Sequence, residues 1–164
     1  MSVIKGDVLK YGDNINTDII SPPQFMEYSI EESAKYAMSA IDPNFSKRVK
    51  KGDIIVAGKN FGSGSSRETS PLTLKYLGVS AIVAQFFARI FYRNAINVGI
   101  PVVECNEADA IKDGDVIEID LENGIIKNIS ADEVYQCTRI SPHVMELIND
   151  GGLVAYIKKN MERK

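Results

Sequence analysis

Gly58-Lys59-Asn60-Phe61-Gly62-Ser63-Gly64-Ser65-Ser66-Arg67-Glu68 is the stretch on which the reading of this chain turns. It follows an apolar run, Ile54-Ile55-Val56-Ala57, with the character of a buried strand, and precedes a helical pattern from Leu72 to Leu77. Glycines on both sides of Ser63 let the backbone turn sharply and approach a ligand closely. Ser65, Ser66 and Arg67 then bring backbone N–H groups, two hydroxyls and a fixed positive charge to a helix start. Such a start binds anions, because its first N–H groups lack internal partners and its dipole is positive there.

Three familiar loops are excluded by spacing. A phosphate-binding P-loop needs Gly-Lys and then Ser or Thr after its second glycine, whereas Gly64 is followed by Ser65. A dinucleotide fingerprint needs a third glycine where Arg67 stands. A nucleophile elbow needs glycines two residues either side of a serine, and this loop has none so placed. What remains is a glycine turn feeding a Ser-Ser-Arg anion site. Ser65 and Glu68 also have the spacing of a capping box. A helix capped by Ser65 would carry Pro71 in its interior, so Ser70-Pro71 is the better cap and first-turn pair.

Around this loop the pattern is β-α-β-α-β. Strands are expected at Ile54–Ala57, Ala81–Ala84 and Pro101–Glu104, with helices over about Pro71–Leu77 and Phe87–Val98 that stop at Gly78 and Gly99. That order implies parallel strands, and it sets the glycine loop beyond the carboxyl end of its strand, where open α/β sheets hold ligands. Upstream, residues 3–10 read as a strand, and Tyr11 to Asp18 as a polar connecting loop before Pro22-Pro23. Phe25, Met26, Glu27 and Tyr28 form an exposed loop whose apolar members suit a ligand wall. Ser29 and Glu32 open a helix with apolar positions through Ile41, ended by Asp42-Pro43. Downstream, Asp115–Leu121 and Ile125–Ile129 flank Glu122-Asn123-Gly124 as a hairpin. Ser141-Pro142 caps a short helix, and Leu153–Lys159 is a second, amphipathic one.

The 164 residues suit one domain spanning 1–164, with 45% hydrophobic and 25% charged residues and a net charge of −3. That charge argues against nucleic acid as a partner. No apolar stretch reaches the roughly 20 residues that cross a membrane, and the first seven residues lack a signal-peptide core, so a cytoplasmic protein is expected. Cys105 and Cys137 have neither a disulfide-framework nor a metal-ligand spacing, and His143 is the single histidine. No metal site of this chain's own is expected.

Asn16-Thr17-Asp18-Ile19-Ile20-Ser21-Pro22, the Gly62–Glu68 loop and Phe87-Ala88-Arg89-Ile90-Phe91-Tyr92-Arg93-Asn94-Ala95-Ile96-Asn97 together resemble the aconitase superfamily. The nearest likeness is to the family of 3-isopropylmalate dehydratase (isopropylmalate isomerase) small subunits. The likeness covers about residues 5–104. It implies a swivelling β/β/α domain with a partly parallel sheet flanked by helices. It implies a hydro-lyase of leucine biosynthesis that moves a hydroxyl by dehydration and rehydration. It implies a large partner subunit carrying a 4Fe-4S cluster, whose iron draws off the hydroxyl, and a 2-hydroxy dicarboxylate substrate. By the same likeness Ser65 is the catalytic base, Arg67 binds a substrate carboxylate, and Ser66 and Asp18 line the substrate. Phe25-Met26-Glu27-Tyr28 becomes a specificity loop.

The sequence departs from the family's usual pattern at Ser63, where cysteine is common, and at Thr69-Ser70, where His-Ala is common. These changes bear on substrate more than on reaction type. The apolar loop favours a branched alkyl group over a third carboxylate. Dimethylmalate, citramalate and homoaconitate dehydratases are the neighbouring readings, and a non-catalytic anion-binding module is the reading from another class. A homo-oligomer of the isolated chain is compatible with the sequence.

Overall fold

A computed structural model describes residues 2–25, 27–64 and 68–162. Met26, Ser65, Ser66 and Arg67, all singled out above, lie outside the described residues.

Within the described residues one seven-stranded mixed sheet organises the chain, in the order β4-β3-β2-β1-β5-β6-β7. The strands are β1 (Val3–Lys10), β2 (Ile54–Val56), β3 (Ala81–Ala84), β4 (Val102–Glu104), β5 (Val116–Asp120), β6 (Ile125–Asn128) and β7 (Glu133–Gln136). β1 to β4 run parallel, with Val8 opposite Ile54, Ile54 opposite Ala81 and Ile82 opposite Val102. β5, β6 and β7 continue antiparallel from the far side of β1. The architecture is the expected α/β one, a partly parallel sheet flanked by helices.

Alternation along the strands divides the core between the two sheet faces. Leu9, Ile55, Ile82 and Val102 belong to one buried cluster, which takes in Leu74, Phe91, Ala95 and Leu147 from the helices. Val8, Ile54, Val56, Val83 and Val103 belong to the other, with Ile117, Ile119, Ile126 and Tyr135 from the antiparallel half. β2 is buried on both faces, as its unbroken apolar run requires.

Three local expectations are corrected. The polar loop before Pro22 contains one helical turn, α1 (Thr17–Ile20), because Asn16 caps it by accepting the Ile19 N–H at 2.9 Å. The helix opened by Ser29 is only α2 (Ile30–Ala34). Beyond it Met38 turns to φ +60 with its side chain fully buried, and its N–H donates to Ile20 O at 3.3 Å. Burying Met38 there takes the chain out of the helix, and a short helix, α3 (Phe45–Arg48), follows. The helix after the glycine loop, α4 (Thr69–Tyr76), starts two residues earlier than Ser70-Pro71 predicts. Glu68 is itself at the cap position, so the Ser-x-x-Glu box does not open α4. Pro71 sits in the first turn, where its missing N–H has no partner to lose. β7 lies where the sequence gives no reading, since only Tyr135 among its four residues is buried.

The next helix, α5 (Arg89–Val98), begins two residues later than its apolar pattern, because Phe87 pairs with Phe61 as a lone parallel bridge. α6 (Pro142–Asn149) is capped by Ser141 as expected, and α7 (Leu153–Glu162) closes the chain. No helix among the described residues is long and apolar enough to cross a membrane.

Candidate active site

The loops that leave β1, β2 and β3 come together at the carboxyl ends of those three strands. The β2 loop is central and is bonded to both neighbours. On the β1 side, Tyr11 N–H donates to Val56 O, Asn14 N–H to Lys59 O, Gly62 N–H to Ile15 O at 2.7 Å and Thr17 N–H to Ser63 O at 2.8 Å. Asp13 Oδ1 accepts the Lys59 N–H at 2.8 Å and lies where a Cβ on Gly58 would stand. On the β3 side, Phe61 N–H donates to Phe86 O, Ala88 N–H to Phe61 O and Gln85 N–H to Gly58 O. Phe61, Phe87 and Phe91 form an aromatic cluster beneath the turn, with Phe61 edge-on to both others. Glu104 on β4 extends the support by accepting the Phe87 N–H at 2.9 Å.

Glycine is demanded at two points of the turn. Gly62 has φ +85, and Gly64 has φ +103 with its missing Cβ facing Thr17 Oγ1. The turn therefore rises from a buried Phe61 to an exposed Gly64 beside Thr17. Gly62, Ser63 and Gly64 thus stand against the early loop, at the same end of the sheet as Phe87.

Two buried hydroxyls stand at this end without hydrogen-bond partners among the described residues. Thr17 Oγ1 is one and Ser70 Oγ, in the first turn of α4, is the other, on residues 2% and 0% exposed. An unpaired buried hydroxyl costs about 1–3 kcal/mol, so both mark places where folding alone does not explain the residue. Asp18, an exposed residue of α1, lies beside Thr17.

Phe25 is half-buried, Tyr28 is exposed, and their rings meet edge-on at 5.5 Å. A recess separates this loop from α4, lined by Ser21, Pro22, Phe25, Tyr28, Ile30, Ser33, Thr69 and Thr73. Every lining side chain is uncharged, and Glu27 is exposed outside it. Sequence reasoning singled out Thr69 only as a departure from the family pattern and missed Thr73 and Ser33, because the packing of α2 against α4 is what brings them to the loop.

Arg89 and Arg93 are exposed, as is His143, whose ring meets Tyr156 edge-on. Arg48 is less solvated than its basic cluster suggests, since it pairs with Asp42 at 2.9 Å and Asp113 at 3.2 Å. Tyr11 OH donates to the same Asp42 at 2.7 Å and so anchors the end of β1. Cys105 is buried and Cys137 half-buried. Burial pushes their thiols up, to about 11 and about 12 respectively. Two thiols are fewer than the three or four that an iron–sulfur cluster takes. Among the described residues no three His, Cys, Asp or Glu side chains stand together as a metal site.

The chain belongs to the aconitase C-terminal domain family, whose profile matches residues 11–108. Relatives to which it is similar along its whole length include small subunits. It is 50% identical over 162 residues to the isopropylmalate/citramalate isomerase small subunit of Methanocaldococcus jannaschii, covering 98% of this chain and 96% of that one. It is 51% identical over 160 residues to 3-isopropylmalate dehydratase small subunit 1 of Thermotoga maritima, covering 96% of each. The crystal structure of 3-isopropylmalate dehydratase from M. jannaschii superposes with a TM-score of 0.91 at 46% identity, covering 97% of this chain and 95% of that one.

Proposed function

We propose that this chain is the small subunit of a cytoplasmic hydro-lyase that interconverts 2-isopropylmalate and 3-isopropylmalate for leucine biosynthesis. Its partner is a large subunit bearing the 4Fe-4S cluster. The observation that carries the reading is the pair of bonds Gly62 N–H to Ile15 O and Thr17 N–H to Ser63 O. They fix the glycine turn against the Asn16-Thr17-Asp18 loop, so the Ser65-Ser66-Arg67 segment starts from a rigid base.

In this reading Arg67 holds a substrate carboxylate through two parallel N–H···O bonds and so fixes its orientation. Ser65 removes the weakly acidic C–H proton next to a carboxylate. A serine alkoxide is nearly absent at neutral pH, so the site must supply positive charge, a role this reading gives to the Arg67 guanidinium. Ser66 and Asp18 complete the substrate contacts. Hydroxyl departure is assigned to the partner subunit. Return of water at the neighbouring carbon gives the isomer.

The uncharged recess beside Phe25 supports an alkylmalate over an acid with a third carboxylate. The third carboxylate of a homoaconitate would meet no cation among the residues lining it. Citramalate, with a methyl group in place of the isopropyl, is the nearest alternative substrate.

The test is anaerobic reconstitution with the large subunit, followed by an assay of dehydration and isomerisation on a panel of 2-alkylmalates. The chain alone is expected to be inactive and the pair active. A pair inactive on every alkylmalate, with tight dicarboxylate binding by this chain alone, would replace the enzyme reading by an anion-binding module.

A further inference from the structure

Two large apolar side chains are left out of the core just beyond the carboxyl end of β3. Phe86 is 46% exposed and Ile90 is 50% exposed. The fold uses the backbone of this connection and not these side chains. Phe86 O accepts the Phe61 N–H at 3.2 Å, and Ala88 N–H donates to Phe61 O at 2.9 Å, so the segment is pinned beside the glycine turn. Ile90 lies in the first turn of α5, whose buried residues are Phe91, Ala95, Ile96 and Val98.

Charge and shape continue this patch. Arg89 and Arg93, four residues apart on α5, share one exposed face, and neither makes an ion pair among the described residues. Two acids at this end are already engaged. Glu104 accepts the Phe87 N–H at 2.9 Å, and Asp109 accepts a Gln85 side-chain N–H at 3.2 Å. Beside Arg89 opens a cleft of about 310 Å³, lined also by Phe87, Tyr92, Glu104 and Thr138. Thr138 closes its edge, since its N–H donates to Glu104 O and its Oγ1 accepts the Glu104 N–H, both at 2.9 Å. Exposed apolar side chains, unpaired guanidiniums and a hollow side by side have the composition of a protein interface.

We propose that Phe86, Ile90, Arg89 and Arg93, with the cleft beside them, form the docking surface for the large subunit, which meets them with apolar side chains edged by carboxylates. The inference rests on the reading that this chain works with a cluster-bearing large subunit. Position and charge select that occupant over a second copy. The partner's cluster has to reach the end of the sheet where Gly62 and Gly64 stand, and the patch borders that turn through Phe61. Two copies meeting here about a two-fold axis would bring four guanidiniums together with no carboxylate of the patch free to pair them. The exposed apolar residues of α7 are less suited. That helix starts at the far end of α5, where Gly152 packs on Asn97 and Val98.

The experiment measures the affinity of the full chain for a 3-isopropylmalate dehydratase large subunit under anaerobic conditions, with turnover read on the same pairs. Phe86→Ala and Ile90→Ala should each weaken association about tenfold or more. Arg93→Glu should weaken it about tenfold, and by less at high salt. Turnover at saturating large subunit should stay within about twofold for all three. Val154→Ala, at a residue 64% exposed in the first turn of α7, should bind as wild type does. Wild-type thermal midpoints would show that the variants are folded. Wild-type affinity in both apolar variants, or an equal loss in Val154→Ala, would overturn the surface. So would variants that lose self-association of the isolated chain while keeping the large subunit, since the patch would then belong to a second copy. A wild-type pair that does not associate removes the proposed function and this inference with it. A pair that associates but turns over no alkylmalate removes the proposed substrate only, and the variants' affinities still decide the surface. An active pair with insensitive variants sinks the inference alone.

Discussion

A Cβ placed on Gly62 would stand 2.2 Å from Cγ of Phe91, so the glycine turn rests directly on the first aromatic ring of α5. Gly62 also has φ +85, which strains any other residue. Gly62→Ala should therefore destabilise the fold by about 2–4 kcal/mol, read from denaturant midpoints, and abolish activity in the assembled enzyme. A loss under about 0.5 kcal/mol would show that the turn does not rest on Phe91.

Thr17 offers a stability–activity trade. Its Oγ1 is buried and unpartnered among the described residues. Thr17→Val keeps the shape and removes the unpaired hydroxyl, so it should leave the isolated chain as stable as wild type or up to about 1 kcal/mol more stable. In the assembled enzyme the same change should lower kcat/KM by about tenfold or more, the value of one hydrogen bond at a reacting site. A destabilised and fully active variant would assign Thr17 to folding alone.

The parallel half of the sheet could be read from sequence because β2, β3 and β4 are short apolar runs separated by helices that stop at Gly78 and Gly99. The glycine loop could be read because Gly62 and Gly64 announce positive φ. What could not be read depends on contacts between distant residues. Met38 leaves its helix to be buried beside Ile20, β7 shows only Tyr135 to the core, and Thr69 joins Phe25 only through packing of α2 on α4. The proposed catalytic roles of Ser65, Ser66 and Arg67 came from the motif, and the described residues contribute the frame around it.

Asp115 joins the two halves of the structure's charge balance to its stability. Its carboxylate accepts the Lys112 N–H and the Asn128 side-chain N–H, both at 2.9 Å, and the backbone bond is the larger cause holding its pKa below the usual value. A depressed folded-state pKa adds stability above the unfolded value of about 4, and that stability is lost as pH falls through the folded-state value. Asp115→Asn should therefore lose less stability than wild type between about pH 5 and pH 2, measured by thermal unfolding across that range. Identical acid profiles would remove Asp115 from the account. Asn128, 1% exposed, also accepts the Ala131 N–H at 3.1 Å, so Asn128→Ala should cost about 1–3 kcal/mol.

The thiols provide a chemical check on the core. With pKa values pushed by burial to about 11 at Cys105 and about 12 at Cys137, both are protonated near pH 7.5. Iodoacetamide labelling, followed by intact mass, should be far slower in the native chain than in the unfolded one. Rapid native labelling at both residues would contradict the packing around them.

The most direct measurement is turnover of the Ser65→Ala variant in the reconstituted enzyme, with subunit association measured on the same samples. A base supplied by Ser65 predicts a fall in kcat of about a thousandfold or more with KM and association preserved. Turnover within a few-fold of wild type would contradict the account, because the proton would then leave by another route.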